Sequence, residues 1–128
     1  MDERFDRNIR FFGAAGQDRI GARSLAVVGI GGLGTHVVQQ AALLGFTTFW
    51  LIDPEVLDVT NLNRYVGVDL ADLGIAKVEL GARIIRRVQP SATVVQVRDR
   101  LQSVAAFDAI RQADVVIGCL DSDGARLI

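Results

Sequence analysis

An apolar run that ends in a glycine loop restricts the possible folds of this chain more than any other feature. Residues 24–30 are mainly apolar, and the glycines follow the spacing Gly29-x-Gly31-x-x-Gly34. This order is typical of a buried strand, a tight turn and a helix start, where N–H groups without helical partners can face an anion. Asp53 follows about 20 residues later, where a carboxylate that binds ribose is expected. The pattern predicts a strand–loop–helix unit that holds a nucleotide.

Each glycine of this loop has a separate expected task. Gly29 permits the turn, and Gly31 lets the backbone approach a phosphate because no Cβ stands in the way. Gly34 lets the helix and the strand pack closely. The loop alone is also found in NAD- and FAD-binding proteins, so an oxidoreductase remains an alternative.

Strand patterns alternate with helix patterns along the rest of the chain. The predicted strands are residues 24–30, 47–53, 93–97 and 114–120. The predicted helices are residues 4–12, 33–44, 72–89 and 104–111. Apolar strands separated by helices indicate a mainly parallel sheet with helices on both faces, so we expect a doubly wound, Rossmann-like α/β fold.

Length and charge set the domain organisation and exclude some functions. The 128 residues predict one domain, with an N-terminal helical segment over 1–20 and a Rossmann-like core over 21–128. A net charge of −1 is not that of a nucleic-acid-binding module. The charged N-terminus and the lack of a long apolar stretch predict no signal peptide, no membrane span and a cytoplasmic location. The last predicted strand leads into the start of a new helix, so we expect a piece of a longer protein.

Four further motifs carry a resemblance to a known family. They are Asp53-Pro-Glu-Val-Leu-Asp58-Val-Thr-Asn61-Leu-Asn63-Arg64, Gly74-Ile-Ala-Lys77, Gly118-Cys-Leu-Asp121-Ser-Asp and the opening Arg4-Phe-Asp-Arg7-Asn. With the doubled glycine Gly31-Gly32, these motifs resemble the ThiF/MoeB/HesA family, the adenylyltransferase domain shared with ubiquitin-activating enzymes. The resemblance covers essentially the whole chain.

The resemblance implies an enzyme that uses ATP and Mg²⁺ to adenylate a carboxylate and releases pyrophosphate. The implied substrate is the C-terminal glycine of a ubiquitin-like or sulfur-carrier protein. The residues implied to bind the nucleotide are Gly29, Gly31, Gly32, Gly34, Asp53, Asn61, Arg64 and Lys77. The residues implied to act in catalysis are Arg7, Arg64, Lys77 and Asp121. Asp121 would hold Mg²⁺, and Arg7 would enter the partner's site in a homodimer.

Plainer interpretations stand beside these roles. Asp53 could open a turn before Pro54, and Arg64 and Lys77 could be solvated surface charges. Asp121 could cap a helix, with Asp123 as the metal ligand in its place.

Two departures from the family pattern concern residues beside the implied phosphate contacts. Tyr65 follows Arg64 where the family usually has Gln, and Asn8 stands in the opening motif where the family has Gln. The third hypothesis is a non-catalytic, adenylation-like scaffold that pairs with an active partner. Its mark would be the loss of phosphate-directed charges, which this chain retains. An oxidoreductase would not need Asn61, Arg64, Lys77 and Asp121 together.

Overall fold

A computed structural model describes residues 2–121 of the chain. The strands are β1 (Ser24–Val28), β2 (Thr48–Ile52), β3 (Thr93–Val97) and β4 (Val115–Gly118). The helices are α1 (Asp6–Ala22), α2 (Gly32–Leu44), α3 (Lys77–Val88) and α4 (Val104–Gln112), with short 3₁₀ turns at Glu3–Phe5, Val59–Asn61 and Leu70–Asp72. Strands and helices thus alternate as predicted, and β3 has the predicted bounds.

The four strands form one parallel sheet in the order β3-β2-β1-β4. Val27 in β1 lies beside Leu51 in β2 and beside Ile117 in β4. The chain crosses from the β3 edge to the far side of β1, so the order reverses between β1 and β4. In open α/β sheets ligands bind at such a switch point, beyond the carboxyl ends of the strands.

Helices cover both faces of the sheet, which confirms the predicted fold class. On one face, α2 and α3 pack against side chains that alternate along the two central strands, namely Leu25, Val27, Phe49 and Leu51. On the other face, α4 contributes Ala106 and Ala109 to a cluster with Val28, Ile52 and Val97. Full burial of one such large apolar side chain stabilises a fold by roughly 1.5–3 kcal/mol.

Helix α1 is longer than the predicted segment 4–12, and its course differs from one continuous helix over residues 1–20. Its backbone leaves helical geometry at Gly13, where φ is +76°, and then resumes to Ala22. Gln17 ties α1 to the C-terminal end of α2, because its Nε2 donates to the Leu44 carbonyl at 2.8 Å. The predicted helix over 4–12 therefore ends where the backbone does break, and what the prediction missed is the second helical stretch, from residue 14 to Ala22.

The start of α3 also differs from the prediction. The segment before it makes a 3₁₀ turn capped by Asp69, and Gly74 then adopts a φ of +86° that no helix interior allows. The helix therefore begins at Lys77 and not at residue 72. Within residues 2–121, no helix combines the length and the apolar character needed to cross a bilayer.

Candidate functional site

A cleft of about 430 Å³ lies at the carboxyl edge of the sheet, the edge at which all four strands end. The predicted site residues that line it are Gly29, Gly31, Gly32, Asp53, Asn61, Arg64, Lys77 and Asp121. They come from the loop after β1, the end of β2, the segment between β2 and α3, and the end of β4. Because parallel strands end at one edge, residues far apart in sequence meet there.

Gly34 and Arg7 do not line this cleft. A Cβ on Gly34 would overlap the Gly29 carbonyl oxygen, so Gly34 lets α2 lie close to the loop after β1. Arg7 is 78% exposed on α1, where its Nη1 is 3.7 Å from Asp6. Its neighbour Asn8 donates to the Leu44 carbonyl at the C-terminal end of α2 at 3.4 Å, which places Arg7 toward the amino edge of the sheet.

The other loop glycines are required for different reasons. Gly29 has a φ of +93°, and a Cβ there would lie 2.9 Å from the Cys119 carbonyl oxygen. A Cβ on Gly32 would lie 2.9 Å from Cγ of Arg64, whose aliphatic stem crosses this glycine. By contrast, a Cβ on Gly31 would meet no atom of residues 2–121 within 4 Å beyond its own chain neighbours. The packing of the protein therefore explains Gly29 and Gly32, whereas the bare backbone at Gly31 is open to a ligand.

Helix α2 begins at this loop and directs its first turn at the cleft. Its N-cap residue is Gly31, which has no side chain to accept from the first N–H groups. The Thr35 hydroxyl donates to the Gly31 carbonyl four residues earlier at 2.9 Å and so leaves these N–H groups free of a side-chain cap. The positive end of the helix macrodipole therefore faces the cleft, which favours an anion.

Asp53 lies on the floor of the cleft, where its carboxylate joins two segments. Oδ2 accepts from the Ile30 N–H at 2.8 Å, and Oδ1 accepts from the Glu55 N–H at 2.8 Å. The residue is only 5% exposed, and burial raises the pKa of its carboxyl group although both hydrogen bonds oppose this shift. Each oxygen retains a second lone pair that can accept from a ligand hydroxyl.

Lys77 is buried and paired, so the interpretation as a solvated surface charge was wrong for this residue. It is 6% exposed, and its Nζ lies 3.1 Å from Oε1 of Glu55, whose side chain is 67% exposed. The Lys77 N–H also donates to the Glu55 carbonyl at 3.0 Å. Glu55, which lines the cleft, was not among the predicted site residues. One feature of the sequence could have indicated it. Glu55 stands two residues after Asp53, and in an extended segment residues two apart lie on the same side of the chain.

Asn61 and Arg64 belong to the segment between β2 and α3, and the side chains of both form hydrogen bonds to other residues of that segment. Asn61 Oδ1 accepts from the Asp58 N–H at 2.9 Å. Arg64 is exposed, and its Nη1 donates to the Thr60 carbonyl at 2.9 Å and to Asn63 Oδ1 at 2.8 Å. An anion in the cleft could replace these neutral acceptors, because a charged acceptor forms the stronger hydrogen bond.

Asp121 is exposed at the end of β4, beside the glycine loop. Among residues 2–121 no three His, Cys, Asp or Glu side chains come together as a metal site. Mg²⁺ does not require such a cage, since it is often held by one or two carboxylates together with substrate phosphates and water. The alternative ligand Asp123 lies outside the described residues.

The parallel sheet and its glycine-lined cleft define a Rossmann-like α/β domain. The ThiF family model matches residues 5–128. The chain therefore belongs to the ThiF family, in agreement with the resemblance drawn from its motifs.

Individual relatives agree with this assignment. The chain is 33% identical over 113 residues to the probable molybdopterin-synthase adenylyltransferase of Porphyra purpurea, covering 88% of this chain and 30% of that protein. It is 35% identical over 116 residues to the pig (Sus scrofa) adenylyltransferase and sulfurtransferase MOCS3, covering 91% of this chain and 26% of that protein. This chain thus spans less than a third of the length of either relative.

Solved structures share the fold. The crystal structure of the E. coli tRNA N6-threonylcarbamoyladenosine dehydratase TcdA is 31% identical and superposes with a TM-score of 0.84, over 94% of this chain and 51% of that one. TcdA has also been solved in complex with ATP. The E. coli protein MccB, solved with ATP, is 24% identical and superposes with a TM-score of 0.83, over 97% of this chain and 39% of that one. This likeness supports the fold alone.

Proposed function

We propose that the cleft binds ATP and that the protein adenylates a carboxylate, releasing pyrophosphate. The observation that carries this proposal is the meeting of a bare glycine backbone, a buried carboxylate and two cationic side chains in one cleft, at Gly31, Asp53, Arg64 and Lys77. The two cations suit a polyphosphate, and the carboxylate suits the ribose hydroxyls. Hydride transfer has no need for the cations.

The residues present fit ATP by their geometry. The open backbone at Gly31 lies where α2 begins, so N–H groups of the loop can donate to phosphate oxygens. When bound, ATP supplies an α-phosphorus that a carboxylate can attack and a pyrophosphate leaving group. Charge then accumulates on the phosphate oxygens, and fixed cations that face it lower the barrier with little covalent work by the protein.

Lys77 and Arg64 would neutralise that charge in different ways. Burial and the contact with Glu55 already hold the Lys77 side chain in place, and a phosphate could take the place of Glu55 as its partner. The side chain would therefore need little reorganisation when ATP binds. Arg64 would leave the Thr60 carbonyl and turn its fork of N–H groups to the phosphates. Asn61, in the same segment, would donate from its amide. Asp121 would hold Mg²⁺ together with phosphate oxygens and water.

The acyl substrate that we propose is the C-terminal glycine of a ubiquitin-like or sulfur-carrier protein. The support is that the relatives named above are adenylyltransferases, one of them also a sulfurtransferase. The cytoplasm, which supplies ATP, is the proposed location.

We also propose a homodimer in which Arg7 completes the partner's site. Arg7 is exposed and does not line the cleft of its own chain, so a role at the phosphates would require a second subunit. On the same helix Phe11 is 83% exposed and Phe12 is 41% exposed, their rings 4.9 Å apart, which provides apolar surface for an interface. Residues 7 and 11 share one face of α1, so a dimer contact through Phe11 would also place Arg7 at the interface.

Two measurements on the full-length protein test the reaction. Calorimetry should give tighter binding of ATP·Mg²⁺ than of NAD, and a carrier protein with a C-terminal glycine should stimulate ATP–pyrophosphate exchange. Tighter binding of NAD would favour the oxidoreductase. Binding of ATP without exchange for any carrier offered would favour the scaffold.

A mixed dimer tests the proposed role of Arg7. Subunits carrying Arg7→Ala and subunits carrying Asp121→Ala should each be inactive alone. After subunit exchange, one site of the mixed dimer combines an intact Asp121 with an intact Arg7 from the partner and should regain activity. No recovery despite demonstrated subunit exchange would reject the action of Arg7 across the interface.

A further inference from the structure

Tyr65 connects the β2–α3 segment to the glycine loop from beneath the cleft. The residue is 7% exposed, and its ring packs with Leu57 and Leu80. Its hydroxyl donates to the Ile30 carbonyl at 2.7 Å, although the two residues are 35 positions apart in the chain. Burial raises the pKa of this hydroxyl, so it remains a proton donor at any physiological pH. Tyr65 does not line the cleft, and none of the roles proposed above uses it.

Ile30 is held at both of its backbone groups. Its N–H donates to Asp53 Oδ2 at 2.8 Å, and its carbonyl accepts from Tyr65. The carbonyl of Ile30 and the N–H of Gly31 belong to one planar trans peptide, in which the two groups point in opposite directions. Because Tyr65 holds the carbonyl toward the core, the Gly31 N–H is turned the other way. The space around Gly31 is open among residues 2–121, where an added Cβ would meet no atom within 4 Å.

We infer that Tyr65 is a positioning residue that aims the Gly31 N–H at the phosphates of the bound nucleotide. This inference depends on the proposed function, because it assumes that the cleft takes ATP. The ring anchors Tyr65 in the β2–α3 segment, and the hydroxyl sets the orientation of one loop peptide. Glycine has a wide choice of backbone angles, so an external contact is needed to fix the peptide before the ligand arrives.

The test is Tyr65→Phe in the full-length protein, which keeps the ring and removes only the hydroxyl. Calorimetric titrations measure ATP and adenosine, a probe without phosphates. We expect ATP to bind about tenfold more weakly to the variant, the scale of one impaired hydrogen bond to a charged group, and adenosine to bind as it does to the wild type. Exchange at saturating ATP should change less than twofold, so that KM rises and kcat does not fall.

A matched control is Thr47→Val at the opposite edge of the sheet. The Thr47 hydroxyl also donates to a backbone carbonyl, that of Gly21, at 3.0 Å. Removal of this hydroxyl should leave the affinity for both ligands unchanged. Thermal unfolding first verifies that each variant is folded at the assay temperature.

Three results would overturn the inference. The first is an unchanged ATP affinity in Tyr65→Phe. The second is equal weakening of ATP and adenosine binding, and the third is a variant that is unfolded under assay conditions. Either of the last two would assign Tyr65 a purely structural role. Failure of the wild type itself to bind ATP would reject the proposed function, which distinguishes the two hypotheses.

Discussion

Each edge of the sheet holds an aspartate that accepts two hydrogen bonds, yet the two carboxylates differ in their surroundings. Asp53 at the carboxyl edge is 5% exposed, and its burial raises the pKa of the carboxyl group against its bonds from the Ile30 and Glu55 N–H groups. Asp114 at the amino edge has a side chain that is 43% exposed. Its bonds from the Ser24 N–H and hydroxyl lower the pKa of its carboxyl group.

This contrast indicates what each edge is for. A lowered pKa means that the folded state favours the ionised carboxylate, so Asp114 stabilises the start of β4 beside the start of β1. A pKa raised by burial means that folding disfavours the ionised form, so an ionised Asp53 is held at a cost. Buried ionisable groups of this kind, in a cleft and beside a charged partner, are typical of functional sites. Asp114 thus serves the fold, and we propose that Asp53 serves the reaction.

The largest expected effect comes from removal of the buried cation at the carboxyl edge. In Lys77→Met an apolar side chain of similar length keeps the packing, and ATP–pyrophosphate exchange should fall at least about 100-fold, the usual scale for the loss of one fixed stabilising donor. The unfolding midpoint should stay the same or rise, because the variant no longer buries a charge, and the side chain of the remaining partner Glu55 is 67% exposed and stays solvated.

The matched control for that variant is Arg86→Met, which removes an exposed cation from the last turn of the same helix. Neither exchange nor the unfolding midpoint should change measurably. Wild-type exchange in Lys77→Met would show that the buried cation has no catalytic role, and the two edges would then not differ as proposed.

An intermediate effect is expected from the two aspartates themselves. Asp53→Asn in the full-length protein should weaken ATP binding about tenfold, because a hydrogen bond to the charged carboxylate is lost. Asp114→Asn should leave ATP affinity unchanged and lower the unfolding midpoint. Calorimetry and thermal unfolding of both variants provide the two readouts. Weaker ATP binding in Asp114→Asn would contradict the division of tasks between the edges.

The meeting of most predicted residues at one cleft could be expected from the sequence, because covalent geometry and strand order bring them together. The tasks of Gly29, Gly31 and Gly34 follow from the space around a missing Cβ, and Asp53 follows from the position at which a parallel strand ends. The burial of Lys77 could not be predicted in the same way. It depends on how the irregular segment between β2 and α3 folds back over the helix start.

The hydrogen bond from Tyr65 to Ile30 could not be predicted from the sequence for a related reason. It joins positions 35 residues apart, and no periodic pattern relates them. From the sequence, Tyr65 is only a departure from the family pattern, whereas the structure shows that its hydroxyl binds the glycine loop. The helix start at Lys77 was missed because apolar spacing continues through residues 72–76 although Gly74 breaks the backbone pattern.

The smallest expected effect is the pH dependence of stability, and it has opposite signs at the two edges. For Asp114 the folded-state pKa lies below the ordinary 3.8, so its contribution is present above that pH and is lost as the pH falls through the lowered value. The stability difference between the wild type and Asp114→Asn should therefore shrink on acidification. For Asp53 the folded-state pKa lies above the ordinary 3.8, so the folded state binds the proton more tightly than the unfolded state does.

Stability attributable to Asp53 should accordingly decrease as the pH rises from 3.8 through the raised folded-state value, and Asp53→Asn should remove that decrease. Urea unfolding of the wild type and both Asn variants, at several pH values from about 3 to 7, measures the two differences. A hydrogen bond lost through substitution adds an offset that does not vary with pH, so only the slopes report on titration. Slopes of the same sign for the two variants would contradict the proposed contrast, because they would mean that both carboxylates respond alike to folding.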